Sequence, residues 1–325
     1  MRRLSLLAVL MIAGCSSHSN LPAPGNIAPD SVKQQVLPPG WTYTILKRIG
    51  GQKVMSVGLV SDTKKVWATV VSSDGLKGAL DKIALGGRVT QYPLNVVPYA
   101  IAFGPDNNFW LTTTSGVVAR VTPAGQETDF TVDPGMYSGS IIGGSDGALW
   151  FTECAQDKSG GVGRIDLQGS YTFYPSVCPR VIASGPDGNI WFGDGANIYA
   201  MTTQGESIGE YAVGDQVFTG IAVGSDGNLY VAGADPIADF SSVTMAGVVT
   251  HIGPDGNLDG MSSISKAADG KLWMSAYKHL VAFDPATQTW TSRVKSPGWG
   301  TVLVGPDGNI WKTDIAARVD RYALN

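Results

Sequence analysis

Apolar and polar positions alternate along most of this chain in short runs, and the runs return in a fixed order. Tyr99-Ala100-Ile101-Ala102-Phe103 is small and apolar, and the polar phrase Gly104-Pro105-Asp106-Asn107-Asn108 follows it. Phe109-Trp110 then opens a second apolar run. Elsewhere a third run such as Gly163-Arg164-Ile165-Asp166 and a fourth such as Tyr171-Thr172-Phe173-Tyr174 complete the unit. Short β-branched and aromatic runs bounded by Gly, Pro, Asn and Asp predict strands joined by tight turns. Asp-Gly and Asp-Asn suit those turns because both tolerate positive φ and the aspartate can bond local backbone N–H groups.

The turn phrase recurs with its aspartate at 62, 106, 146, 187, 226, 269 and 307, at intervals of 44, 40, 41, 39, 43 and 38 residues. In most copies it runs into an apolar residue and an aromatic, as in Gly185-Pro186-Asp187-Gly188-Asn189-Ile190-Trp191. The first copy, Ser61-Asp62-Thr63-Lys64-Lys65-Val66-Trp67, is one residue longer. Seven units near forty residues, each with four short strands, predict an all-β, seven-bladed propeller of four-stranded antiparallel blades. The small run becomes the innermost strand, and the indole fills the space between neighbouring sheets. Gly253-Pro254-Asp255-Gly256-Asn257 has the same letters without a following Trp and is expected at the third-to-fourth-strand turn of blade five. The last unit ends after its third strand, so Trp41 to Arg48 is expected to supply the missing outer strand and close the ring.

Composition adds an address. The 325 residues include 42 Gly, 9 Trp and 11 Tyr, with 15% charged residues and a net charge of −4. An acidic balance excludes the basic footprint of a nucleic-acid-binding surface. No apolar run approaches the roughly 20 residues of a spanning helix. Residues 1–14, with Arg2 and Arg3 ahead of a mostly apolar stretch, have the layout of a secretory signal peptide. Ile12-Ala13-Gly14-Cys15 resembles the bacterial lipoprotein box, which implies cleavage before Cys15 and its acylation. Losing both arginines takes the net charge to −6. Acyl chains would anchor a soluble domain without a spanning helix. Ser16, with no Asp after the cysteine, implies sorting to the outer membrane, facing the periplasm. Residues 15–40 carry five prolines among Ser, Asn and Gln and read as a stiff spacer. The propeller then occupies 41–325.

The repeat Gly-Pro-Asp-Gly-Asn-apolar-Trp resembles that of the virginiamycin B lyase (streptogramin lyase) family, over about residues 50 to 325. The resemblance implies a seven-bladed propeller that opens a cyclic depsipeptide by elimination across its ester, with a divalent metal such as Mg²⁺. It places histidines at the starts of innermost strands and a glutamate at the ends of second strands. The histidine position falls on Met55, Tyr99, Gly139, Arg180, Thr219, Ser262 and Gly300, and none is histidine. The glutamate position falls on Val70, Thr113, Glu153, Asp194, Gly233, Ala276 and Asp314, and Glu153 in Trp150-Phe151-Thr152-Glu153 matches outright.

Both sets of positions lie on one face, here called the top. Tyr99, Glu153, Arg180, Asp194 and Asp314 are therefore candidate binding residues, with His279 in a nearby loop. Glu153 and Arg180 are expected to be neighbours, either as an ion pair lining a wet channel or as a site for a polar or anionic ligand. Glu153 with Asp194 could hold a hard cation if the two converged. No catalytic residue is assigned, and no cofactor is implied beyond Mg²⁺ by resemblance. Cys154 and Cys178 share the top of blade three and, with Cys15 lipidated, form the available intrachain disulfide. Two separate thiols are the alternative. The resulting expectation is an envelope lipoprotein whose propeller binds a small ligand or a protein through its top face. The alternative is a lyase or hydrolase acting on a cyclic ester.

Overall fold

The structure, a computed structural model, describes residues 41–47, 54–214, 217–234, 239–253, 260–276, 279–296, 300–314 and 318–323. Residues 1–40, where a signal segment, an acylated Cys15 and a spacer are expected, lie outside them. The described strands form seven four-stranded antiparallel sheets. Six of them are consecutive in the chain, spanning 54–94, 98–131, 137–176, 181–212, 218–251 and 261–295. The seventh joins Val302–Val304, Ile310–Asp314 and Arg318–Tyr322 to Trp41–Ile45. Trp41 lies opposite Tyr322 and Ile45 opposite Arg318, so the outermost strand of blade seven comes from the other end of the described chain.

Burial explains the sequence pattern. Second strands lie between blades on both faces, and Val66–Ser72, Phe109–Thr113, Leu229–Gly233 and Leu272–Ala276 are buried at every residue. That is why they read as unbroken apolar runs. Outer strands such as Glu127–Thr131 mix half-buried and exposed positions and carry the polar letters. The core is thus divided among the blade interfaces, each with its own cluster of buried side chains, such as Ala102, Trp110, Ile141, Leu149 and Phe151 between blades two and three.

The turn aspartate does more than cap its turn. Indole Nε1 groups donate to it from Trp67 (2.8 Å to Asp62), Trp110 (3.0 Å to Asp106), Trp150 (3.0 Å to Asp146), Trp191 (3.2 Å to Asp187) and Trp311 (3.0 Å to Asp307). In blade five the Tyr230 hydroxyl donates to Asp226 at 2.9 Å. In blades two to five and seven a glycine two residues before the aspartate leaves room for this bond. A Cβ on Gly185 would lie 2.6 Å from Cδ1 and Nε1 of Trp191 and against Asp187 Oδ1. Blade six has Ala267 at that place. There Asp269 binds Lys271 Nζ at 2.7 Å, and the buried Trp273 Nε1 has no partner.

One expectation fails here. The third-to-fourth-strand turn of blade five is Thr244 to Val248, closed by Thr244 N–H donating to the Val248 carbonyl at 3.0 Å. Its Gly247, at φ 81°, lies so close to the Tyr211 ring of blade four that a Cβ would collide. The look-alike phrase at 253–257 instead follows the outer strand, and its residues from 254 on lie outside the described residues.

Candidate functional site

The top face is assembled from the beginnings of the inner strands and the ends of the second strands. Inner strands lose register there: irregularities fall at Ser56/Gly58, Pro98/Ile101, Ser138/Ile141, Phe218/Gly220 and Met261/Ile264. Bulges re-aim side chains and often flank sites. At this rim hydroxyls tie blade two to three, three to four, five to six and six to seven. Thr112 Oγ1 donates to the Gly139 carbonyl at 2.6 Å, and Ser140 Oγ to that of Arg180 at 3.2 Å. Thr219 Oγ1 donates to the Met261 carbonyl at 2.5 Å, and Ser262 Oγ to that of Gly300 at 2.9 Å. Thr219 and Ser262 stand where the family resemblance places histidine, and their side chains here bond the backbone of the following blade.

Glu153 is fully buried. It shares a strand face with Phe151, which packs at the interface of blades two and three. The glycine at 163 lets the carboxylate lie flat on the sheet, since a Cβ there would sit 2.5 Å from Oε2. The Tyr171 hydroxyl donates to Oε2 at 2.7 Å, while Oε1 has no hydrogen-bond partner. Burial pushes the Glu153 pKa up to about 7; the Tyr171 bond opposes the rise and the nearby Asp133 charge adds to it. Burial and the same carboxylate push the Tyr171 hydroxyl up as well. The expected pairing with Arg180 does not form, because strand alternation turns Glu153 between the blades, and Arg180 is exposed without an ion-pair partner among the described residues.

Asp194 is also engaged. Its Oδ1 accepts the backbone N–H groups of Ala196 (2.9 Å) and Asn197 (3.0 Å), and its Oδ2 accepts the Tyr199 hydroxyl at 3.2 Å. Asp314 ends its strand opposite Arg318, and its side chain lies outside the described residues. His279 opens the third strand of blade six, opposite Ala276 and Lys295, and is half-buried. Tyr99 is half-buried at the rim. Burial pushes its phenol up to about 12, and the Arg180 guanidinium works against that rise. Among the described residues no three His, Cys, Asp or Glu side chains gather as metal ligands. With Glu153 turned inward and Asp194 closing a turn, these residues do not fit the oxygen cage a hard cation takes.

Cys154 and Cys178 form a disulfide with their Cα atoms 4.8 Å apart. It joins the end of a second strand in blade three to the segment that leads into Arg180. Beside it lies a top-face cleft of about 510 Å³ lined by Thr114, Pro134, Met136, Tyr137, Gln156 and Asp157 among others. Gln156 Nε2 donates to the Tyr137 hydroxyl across it at 2.7 Å. Sequence reading missed this cleft, because its walls are loops from two blades. It also missed Tyr171, Ser138 and Asp133 around Glu153. A Ser–His–Asp cluster in blade five went unnoticed too: Ser241 Oγ (3.0 Å) and Asp239 Oδ2 (3.5 Å) both face His251 Nδ1. A nucleophile relay needs the two partners on different ring nitrogens, so this cluster lacks the triad arrangement.

The sequence profile of the virginiamycin B lyase family matches residues 48–219 and 89–276. No curated protein matches the sequence. Among solved structures, a catalytically inactive histidine-to-alanine variant of virginiamycin B lyase from Staphylococcus aureus with quinupristin superposes with a TM-score of 0.74 at 20% identity, covering 88% of this chain and 100% of that one. A streptogramin B lyase structure gives a TM-score of 0.75 at 17% identity, covering 88% and 98%. The WD40 propeller domain of Doa1 gives 0.67 at 13% identity, covering 87% and 97%. At these identities the likeness to solved structures is one of fold.

Proposed function

The chain belongs to the virginiamycin B lyase family, and from that premise we propose that it is an envelope-anchored binding propeller that takes a ligand or protein partner at its top face. The carrying observation is the divergence of the rim. Thr219 and Ser262 are tied to the next blade, Gly139 and Gly300 have no side chain, and Glu153 is buried. Among the described residues, this face leaves open the cleft beside Tyr137 and the exposed Arg180. Elimination needs a base within hydrogen-bond reach of the departing proton, and the described rim offers its carboxylates to tyrosines and backbone instead.

The anchor belongs to the same proposal. Acylation of Cys15, the proline-bearing spacer and the charge-poor leader support attachment to the outer membrane with the propeller in the periplasm. The Cys154–Cys178 disulfide suits an oxidising compartment. The test is crosslinking in producing cells with the full lipidated chain. A partner captured by the wild type and lost from an Arg180→Ala, Tyr137→Ala variant supports the reading. Capture that is indifferent to both substitutions removes the top face from it.

Family membership and the match at Glu153 sustain a second reading, a lyase acting on cyclic esters. Incubating the protein with a cyclic depsipeptide, with and without Mg²⁺, separates the two. Elimination changes retention on a column without changing mass, whereas hydrolysis adds one water. Unchanged substrate under both conditions sets this reading aside for that substrate.

A further inference from the structure

Within the top-face reading, on which this step rests, we propose that the cleft beside Tyr137 binds an organic ammonium ion, an amine cation carried on a short carbon stem. Its volume of about 510 Å³ lies within the range of small-molecule sites. The turn holding Thr114 and the loop 134–137 form one side, and the turn 155–157 forms the other. Among the described residues that line it, Asp157 is the one with a charge, and neither Lys nor Arg takes part. Such a lining favours cations and opposes anions. A metal ion lacks its ligand set, because no three His, Cys, Asp or Glu side chains gather among the described residues. An organic cation remains.

Both walls are braced before any ligand arrives. Asp157 Oδ1 accepts the Ser159 hydroxyl (2.6 Å) and N–H (3.0 Å), which hold the carboxyl below its ordinary range and so ionised. Its turn is closed by Ala155 N–H donating to the Ser159 carbonyl at 2.8 Å, and the Cys154–Cys178 bridge pins the base. Opposite, Asp133 Oδ1 accepts the Gly135 N–H at 2.8 Å, and Val132 N–H donates to the Gly116 carbonyl at 3.0 Å. Gly116, at φ 70°, lets the Thr114 turn lie against Pro134, where a Cβ would collide. Gln156 Nε2 donates to the Tyr137 hydroxyl at 2.7 Å, which commits one amide N–H and leaves Oε1 as an acceptor. The Tyr137 side of the cleft supplies a 36% exposed aromatic residue, which suits an ammonium. Pro134 and Met136 give apolar surface for the carbon stem. The ammonium could belong to a lysine side chain of a protein partner or to a free diamine.

Ligand-observed NMR titration of the full chain in nonionic detergent tests this with three probes: Nα-acetyl-lysine methylamide, the same compound acetylated at Nε, and cadaverine. The lysine derivative is expected to bind and its Nε-acetylated form to bind at least about tenfold more weakly. Asp157→Asn should weaken binding of the amine by about fivefold, and Gln156→Ala by about threefold. Lys158 is exposed at the tip of the same turn and outside the lining. Lys158→Gln removes that like charge and should strengthen binding by about twofold. Cadaverine binding as well as the lysine derivative marks a free diamine as the source; binding of the lysine derivative alone marks a protein side chain. Equal binding of the amine and its acetylated form, equal binding by wild type and Asp157→Asn, or no binding of either amine at about 10 mM overturns the site. Crosslinked capture that survives such a result leaves the broader top-face reading standing and removes only the ammonium site.

Discussion

On the hairpin face, six blades hold their turn aspartate against an aromatic N–H or O–H. At the top rim the corresponding positions of blades two to seven carry Tyr, Gly, Arg, Thr, Ser and Gly in turn. The first region repeats because every blade must solve the same problem, packing an aromatic between two sheets without stranding its polar atom. The second varies because the ring needs little from it beyond the hydroxyl ties. Repetition marks architecture here, and departure from it marks where selection can place a site. Blade six departs from the rule: Ala267 stands in place of glycine, Asp269 binds Lys271, and the Trp273 Nε1 has no partner.

The sharpest way to break the contrast is to loosen the top face alone. Replacing Cys154 and Cys178 by serine removes a bridge across 24 residues and should lower unfolding stability by about 3 kcal/mol in denaturant titrations. Partner capture should fall with it, because the bridge anchors the segment leading to Arg180. Loss of capture without loss of stability would mean that the bridge acts only on the site.

Glu153 gives a comparable effect that depends on pH. Its folded pKa of about 7 lies above its ordinary value of 4.5, so the folded state holds the proton more tightly than the unfolded chain. The associated stability is fully present below about pH 4.5 and is lost as pH rises through 7. Glu153→Gln should therefore be more stable than wild type above pH 7, by up to about 3 kcal/mol, and the difference should vanish near pH 4. A wild-type and variant pair with parallel stability–pH curves would contradict the buried, proton-holding Glu153. Asp81, also buried and raised to about 6, contributes equally to both proteins and cancels in the difference.

The smallest effect sharpens the hairpin rule itself. Trp191→Phe removes an indole that bonds Asp187, while Trp273→Phe removes one whose N–H has no partner. The first should cost about 1 kcal/mol more than the second. Equal costs would show that the aspartate–indole bond contributes nothing beyond packing.

The blade count was legible because turn chemistry repeats in letters, and the disulfide because three cysteines leave few pairings. The direction of Glu153 was harder to read. Strand position puts it at the top, but alternation puts it on the Phe151 face, and Gly163 and Tyr171 that receive it are 10 and 18 residues away. The blade-five turn was misplaced because Gly253-Pro254-Asp255 copies the hairpin letters, while Gly247 is defined by the Tyr211 ring of another blade. The cleft beside Tyr137 had no signature, since loops 134–137 and 155–157 meet only in the folded ring.

The central claim is that function sits on the top face and architecture on the hairpin face. It is tested most directly by comparing crosslinked capture for Arg180→Ala with that for Lys64→Ala, an exposed cation in the blade-one hairpin. The account predicts that capture falls in the first and is retained in the second. Loss with Lys64→Ala and retention with Arg180→Ala would contradict it.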